Sequence, residues 1–357
     1  MLCARRRLRP ASPSARASRG ATIEAKGREG ALLQPGRRVA GRRLLAMLAT
    51  LHPLSFAASA ATPLRVGMLF FGSAPAGGNG DQAIVRELAS LGWIEGRTIG
   101  YAMRYANGRR ESYPALAAEL SRLPLDAIFC IGSDVARAFL GVEARVPVIF
   151  AVSDDPVASG MVRSLARPGG RFTGVSFMSP ELAGKRLEIL KAVVPALRRV
   201  AVLTDAAHDA LYVPAFERAA GAMDVAPLPL HFEAASDFPA AFARAVSAGA
   251  QAMFVVPSRY TLAYARDLAA LSIAHRLPAI SAYDTFARSG GLMSYGPTME
   301  ESLKRAASFV DRVLKGASPA TLPVEQPARH VLLVNRQAAA ALSLALPESV
   351  LLQAVFV

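Results

Sequence analysis

The sequence predicts an α/β protein made of two doubly wound parallel-sheet lobes. Three observations carry this. Apolar, β-branched runs of strand length alternate with segments of helical periodicity from residue 64 onward. The loops between them are short, which forces right-handed crossovers and parallel strands. The alternation breaks once, after Ser176, and restarts on the same plan, and a chain of 357 residues has room for two domains.

Composition bounds the function classes. Hydrophobic residues make up 52% of the chain, enough for a large buried core. The formal charge of +14 resembles a nucleic-acid signature until it is located. Residues 1–60 carry 12 Lys and Arg against 2 Asp and Glu, and the remainder carries 29 against 25. The body is only mildly basic, so no nucleic-acid partner is expected. Cys3 and Cys130 cannot form a disulfide framework, and Cys130, at a strand end, reads as a small buried hydrophobe. The five histidines have no ligand-like spacing, so no metal is expected.

Residues 1–36 are rich in Arg, Ala, Ser and Gly without an apolar face and are expected to form a disordered leader. Arg37-Arg38 and Arg42-Arg43 then precede an apolar run at 44–60 that ends in Ala58-Ser59-Ala60. Basic, apolar and small-residue regions in that order make residues 37–60 a signal peptide, cleaved near Ala60. The body is therefore expected in the periplasm.

In the body, strands are expected at 64–71, 98–104, 126–131 and Val148–Val152, with helices at 83–91 and 113–123 and a capped helix after Gly132-Ser133-Asp134. Ser153-Asp154-Asp155-Pro156 ends the fourth strand and predicts a short helix with an acidic cap. Pro168-Gly169-Gly170 is a turn into a fifth strand, Phe172–Ser176.

The second series opens with a helix capped by Ser179-Pro180-Glu181 and running to about Val194. Strands follow at Arg199–Thr204, 228–232, 252–256 and 278–282, with helices at 212–223, 238–248 and 259–275. Gly290-Gly291 precedes a strand at 292–295, and Thr298 with Glu301 predicts a capping box for a helix to about Lys315. Strands at 322–325 and Val331–Val334 and a helix at 337–344 close the chain.

Enzymatic signatures are missing from this text. It contains no G-x-x-x-x-G-K-[ST], no G-x-G-x-x-G after the first strand and no G-x-S-x-G. Asp155, Asp205 and Asp284 follow strands, but an Asp before a helix is first a cap. What remains is a set of helix N-termini converging from two sheets. They suit a carboxylate, opposing Asp side chains suit an amine, and the combination suits a zwitterion such as an amino acid. Phe71, Tyr260, Tyr283 and Tyr295 are candidate apolar walls, each equally readable as core.

Several stretches together carry a family resemblance: LGWIEGRTI (91–99), YPALAAEL (113–120), DDPVASGMVRSLARPGGRFTGVS (154–176), ELAGKRLEILKAVVPALRRVAVL (181–203), HRLPAISAYDTFARSGGLMSYGP (275–297), LKGASPATLPVEQP (314–327) and LVNRQAAAALSLALPESVLLQA (333–354). The chain resembles a family of periplasmic substrate-binding proteins of ABC transporters that includes tryptophan-binding and related amino-acid-binding proteins. It departs from the family's pattern at Asp134, where Pro is usual, and at Asp154, where Gly is usual.

The resemblance implies a periplasmic-binding-protein-like type I fold. Residues 61–176 plus 287–321 would form lobe one, 177–286 plus 322–357 lobe two, and a three-crossing hinge near Phe177, Phe286 and Leu322 would join them. It also implies a receptor rather than an enzyme, without cofactor, that hands a small ligand to a membrane permease and its ATPase, and it is expected as a monomer. Ser73, Ser133, Asp155, Thr204, Pro257, Tyr283 and Asp284 are the expected cleft residues. Lobe one would supply N–H and hydroxyl donors, lobe two the amine contacts and an aromatic wall. Two other readings fit the same architecture: a cytosolic ligand-sensing module, and a small-molecule α/β enzyme.

Overall fold

The computed structural model describes residues 62–75, 82–177 and 182–357, without the side chains of 206–211. The expected leader, signal peptide and Ser179-Pro180-Glu181 cap lie outside the described residues.

The first sheet contains β1 (Leu64–Phe70), β2 (Ile99–Tyr105), β3 (Ala127–Ile131), β4 (Val148–Val152) and β5 (Phe172–Ser176), all parallel, in the order β2-β1-β3-β4-β5. β4 and β5 are buried throughout, as expected of strands covered on both faces. Val66, Met68, Ile149 and Ala151 point to one face, with α1 (Ala83–Ser90) among their neighbours. Leu69, Ile128, Cys130, Phe150 and Val152 point to the other, towards α2 (Tyr113–Arg122) and α3 (Ser133–Arg137).

The second sheet holds β6 (Arg199–Thr204), β7 (Ala226–His231), β8 (Ala252–Val255), β9 (Ala279–Ser281), β10 (Met293–Gly296), β11 (Val331–Val334) and β12 (Ala354–Phe356). Its order is β12-β11-β10-β9-β8-β6-β7, so β7-β6-β8-β9-β10 repeats the winding of the first sheet. β10 and β11 pair antiparallel, and the other strand pairs of the two sheets run parallel. Between and after these strands come α4 (Ala183–Val193), α5 (Ala206–Ala222), α6 (Phe238–Ser247), α7 (Arg259–Ala263), α8 (Ala265–Ala274), α9 (Asp284–Arg288), α10 (Met299–Leu314), α11 (Arg336–Ala341) and α12 (Glu348–Leu351). The outer face of this sheet packs Val200, Val202, Phe254 and Ile280 against Leu187, Leu190, Tyr212 and Phe216 of α4 and α5.

Several expectations are corrected. No helix follows Pro156: residues 156–160 form turns, closed by Ser159 N–H to the Asp155 carbonyl and Met161 N–H to the Pro156 carbonyl. The expected helix 259–275 breaks at Tyr264, whose ring packs against Phe238 and Tyr260 at centroid distances of 6.1 and 6.4 Å. α5 begins six residues before the expected 212 and carries Pro214 inside it, at the cost of one backbone hydrogen bond. No strand forms at 322–325; only Glu325 bridges to Val175. α12 and β12 were not expected.

The crossings between lobes also shift. β10 belongs to the second sheet, so the chain returns to the first lobe after Gly296, not near Phe286. α10 then packs across β3, β4 and β5 of the first lobe. The segment 320–325 stays with that lobe too. Thr173 Oγ1 donates to the Leu322 carbonyl at 2.7 Å, and Glu325 N–H donates to Gly174 O at 3.0 Å. Arg305 and Arg312 of α10 hold the Glu325 carboxylate at 3.3 and 3.0 Å. The third crossing therefore begins after Glu325 and not near Leu322.

Candidate ligand site between the lobes

In an open parallel sheet the winding reverses at one point, and the strand ends there leave a crevice. In the first sheet that point lies between β1 and β3, followed by Phe71-Gly72-Ser73 and Gly132-Ser133-Asp134. The second sheet has its own between β6 and β8, followed by Asp205 and by Val256-Pro257-Ser258-Arg259. The two crevices face each other. A Cβ on Gly132 would lie 2.6 Å from Arg259 Cγ and closer still to Cδ, so Gly132, at φ +107°, yields its space to the opposite lobe's arginine.

Local capping delivers that arginine. Ser258 Oγ accepts from Thr261 N–H at 3.2 Å, and the Thr261 hydroxyl accepts from Ser258 N–H at 2.8 Å. This reciprocal cap fixes the start of α7 and aims Arg259 across the gap. On the other side, the 3-10 turn Arg110–Ser112 carries Arg110. Its Nη2 donates to Asp205 Oδ2 in lobe two at 2.7 Å, and its Nε stands 3.4 Å from Asp134 Oδ2 in its own lobe.

Aromatic rings complete the walls. Tyr260 meets Phe71 of lobe one edge-on at 4.6 Å and donates its hydroxyl to the Gly108 carbonyl at 3.0 Å. The Arg110 guanidinium lies 4.7 Å from the Tyr260 ring centroid. Tyr260 in turn approaches Phe232, which packs on Phe238, so a single apolar cluster runs from the first lobe into the second. Tyr283 and Ser153, one from each lobe, line the same small cavity.

Burial raises the pKa of Tyr113, with Asp134 adding to it and Arg259 and Arg110 opposing. Burial likewise raises that of Tyr283, opposed chiefly by Arg259. Both hydroxyls are therefore neutral donors at physiological pH. Burial works against the charge of Arg110, but Asp205 and then Asp134 outweigh it and hold the guanidinium protonated. Burial also raises the Cys130 thiol, which is fully buried and inert.

The polar bookkeeping of this compartment does not close. The Tyr113 hydroxyl, Ser133 Oγ and Arg259 Nε are buried and form no hydrogen bond, while Arg110 Nε and Asp134 Oδ2, equally without one, face each other as an ion pair. An unmet buried polar group costs about 1–3 kcal/mol. Three together, drawn from both lobes and beside the Arg110–Asp134 pair, mark a place built for a partner with acceptors of its own.

The expected cleft residues fare unevenly. Ser133 is buried beside Asp134, and Tyr283 is buried after β9, where it lines a small cavity with Ser153, Phe177 and Met299. Thr204 and Pro257 are buried at the β6 and β8 ends beside Asp205 and Arg259. Ser73 follows β1 and is exposed. Asp155 is half-buried, and its Oδ1 accepts from Val157 N–H at 2.8 Å, so it fixes the turn that replaces the expected helix. Asp284 is engaged at the second crossing, accepting from Met299 N–H at 3.2 Å and pairing with Arg288 at 3.1 Å. Arg110, Tyr113, Asp134 and Arg259 were not among the expected site residues. Asp134 enters the sequence reading as part of a helix cap and as a departure from the family pattern, and the Ser258 cap is the one signal that places Arg259.

Two similarly wound α/β lobes meeting over a shared polar compartment define a two-lobed binding protein of the periplasmic-binding-protein-like type I fold. The chain belongs to the family of ABC transporter substrate binding proteins, whose model matches residues 65–357. A tyrosine-binding protein of Clostridioides difficile is 22% identical over 267 residues, covering 74% of this chain and 76% of the relative. A crystallised ABC-domain protein from Streptococcus pneumonia, in complex with L-Trp, superposes with a TM-score of 0.73 at 21% identity, over 83% of this chain and 99% of that one. A conserved domain protein from Vibrio cholerae superposes with a TM-score of 0.75 at 21% identity, with the same coverage.

Proposed function

We propose that this chain is the exported solute receptor of an ABC importer and that it captures an amino acid or a close zwitterionic relative between its lobes. One observation carries the reading: three buried polar groups drawn from both lobes, the Tyr113 hydroxyl, Ser133 Oγ and Arg259 Nε, form no hydrogen bond within the protein. A ligand carboxylate suits the Arg259, Ser133 and Tyr113 donors, and a ligand ammonium suits the Asp134 side, where Asp205 adds a second carboxylate. Phe71, Tyr260 and Tyr283 would enclose the rest of the molecule. The relatives' names, tyrosine-binding in one and a complex with L-Trp in another, agree with that ligand class.

In this reading the three crossings act as a hinge, and closure over the ligand makes the lobe-to-lobe contacts. The loaded receptor, a monomer, delivers its cargo to a membrane permease driven by an ATPase. No covalent step is involved. Export through the signal peptide at 37–60 would place the mature protein in the periplasm.

A thermal-shift screen of amino acids, combined with native mass spectrometry of protein purified without denaturation, tests this. A receptor gains stability from its ligand by mass action and returns it unchanged. Stabilisation by one amino-acid class with no depletion of the compound is the expected result. Depletion would indicate an enzyme, and no stabilisation by any amino acid would refute the ligand class. Cell fractionation and N-terminal sequencing test the export, with a mature terminus near residue 61 expected.

A further inference from the structure

Four charged side chains meet where the crevices face each other: Arg110 and Asp134 from lobe one, Asp205 and Arg259 from lobe two. Their formal charges cancel. Arg110 is the member that joins the two carboxylates. Its Nη2 donates to Asp205 Oδ2 at 2.7 Å, its Nε stands 3.4 Å from Asp134 Oδ2, and its guanidinium lies over the Tyr260 ring. The two carboxylates it joins are among the most enclosed in the molecule, with side chains 0% and 10% exposed. A cation between two buried carboxylates, one from each lobe, occupies the position that a second positive group on a ligand would need.

We infer that Arg110 sets the charge class of the ligand, by neutralising the Asp134–Asp205 pair from within so that the compartment takes a solute of zero net charge. A neutral amino acid brings one ammonium, matched by its own carboxylate; a basic one brings a further side-chain cation beside Arg110 and Arg259 with no carboxylate left for it, and like charges placed together in a desolvated site are rejected. An arginine suits this role because its charge is permanent and its planar fork reaches two carboxylates at once. Without it, the site holds one cation and two facing carboxylates, and a ligand cation can bridge them. Asp134 shares in the device: it is the acid on Arg110's own side, 3.4 Å from its Nε.

The inference rests on the proposed amino-acid ligand, and the test separates the two. Dissociation constants for L-leucine, L-tyrosine and L-tryptophan, and for L-lysine and L-arginine, are measured by titration calorimetry on the wild-type protein and on Arg110→Met, Arg110→Gln and Arg110→Lys. The wild type is expected to favour the neutral group. In Arg110→Met the ratio of cationic to neutral affinity rises by at least about tenfold; Arg110→Gln repeats the shift if the methionine variant does not fold. Arg110→Lys restores the preference for neutral ligands. An unchanged ratio in a folded, binding-competent Met or Gln variant overturns the inference and leaves the proposed function standing, as does a folded variant that binds no amino acid, which would make Arg110 a direct ligand contact. A wild type that binds none of the five overturns both.

Discussion

Gly132 of the first lobe lies directly beneath the Arg259 side chain of the second, with room for a hydrogen and not for a methyl group. The backbone at Gly132 also adopts φ +107°, which an L-residue enters only under strain. Gly132→Ala should therefore act twice. Backbone strain costs about 1–3 kcal/mol, read as a lower urea midpoint. Displacement of Arg259 should also weaken ligand binding by at least about tenfold, equivalent to about 1.4 kcal/mol. Titration calorimetry on the folded variant separates the effects; unchanged affinity would show that Arg259 is not needed in the compartment.

Gly174, in the middle of β5, is a purely structural counterpart. A Cβ there would sit 2.7 Å from Phe150 N and closer still to the Phe150 carbonyl oxygen, both backbone atoms of β4 that cannot move aside. Gly174→Ala should destabilise the protein by at least about 2 kcal/mol through strain and loss of β4–β5 pairing. Denaturant unfolding checks this, and a loss below about 0.5 kcal/mol, the size of an ordinary surface change, would contradict it.

Much of the architecture was legible in the sequence because strand periodicity and short loops are local signals. The restart after Ser176, the parallel strands and most element boundaries are read from that text alone. Legibility ended where long-range packing decided the outcome. Nothing near Tyr264 marks a helix break; distant Phe238 and neighbouring Tyr260 produce it. Asp155-Pro156 spells a helix start, yet the chain turns back at Gly160 to reach the RPGG turn, and no helix forms. β10 was misplaced because a short strand after a Gly pair carries no label for the sheet it will join. At the site, the crevice positions Ser133, Thr204, Pro257 and Tyr283 followed from strand ends. Arg110 and Tyr113 follow β2 and are brought in only by tertiary structure.

His330 gives a pH prediction. Burial, and then the nearby Arg186, lower its pKa below the ordinary 6.5, with Glu301 partly opposing and the Tyr295 ring 5.9 Å away. The unfolded state therefore binds the proton more readily than the folded one. Stability is complete above about pH 6.5 and declines as pH falls from there towards the lower folded-state value. His330→Asn should flatten that part of the profile, measured as urea midpoints between pH 8 and pH 5. A variant as pH-sensitive as the wild type would remove His330 from the account.

The central claim is that a small zwitterion satisfies the unmet polar atoms between the lobes. Titration calorimetry of L-tyrosine, L-tryptophan and L-leucine into protein stripped by unfolding and refolding, alongside Arg259→Met, tests it most directly. The expected result is one saturable site, with a dissociation constant of about 1 µM or tighter for at least one of them and a loss of at least about tenfold in Arg259→Met. No binding of any of the three, or equal affinity in the variant, would contradict it.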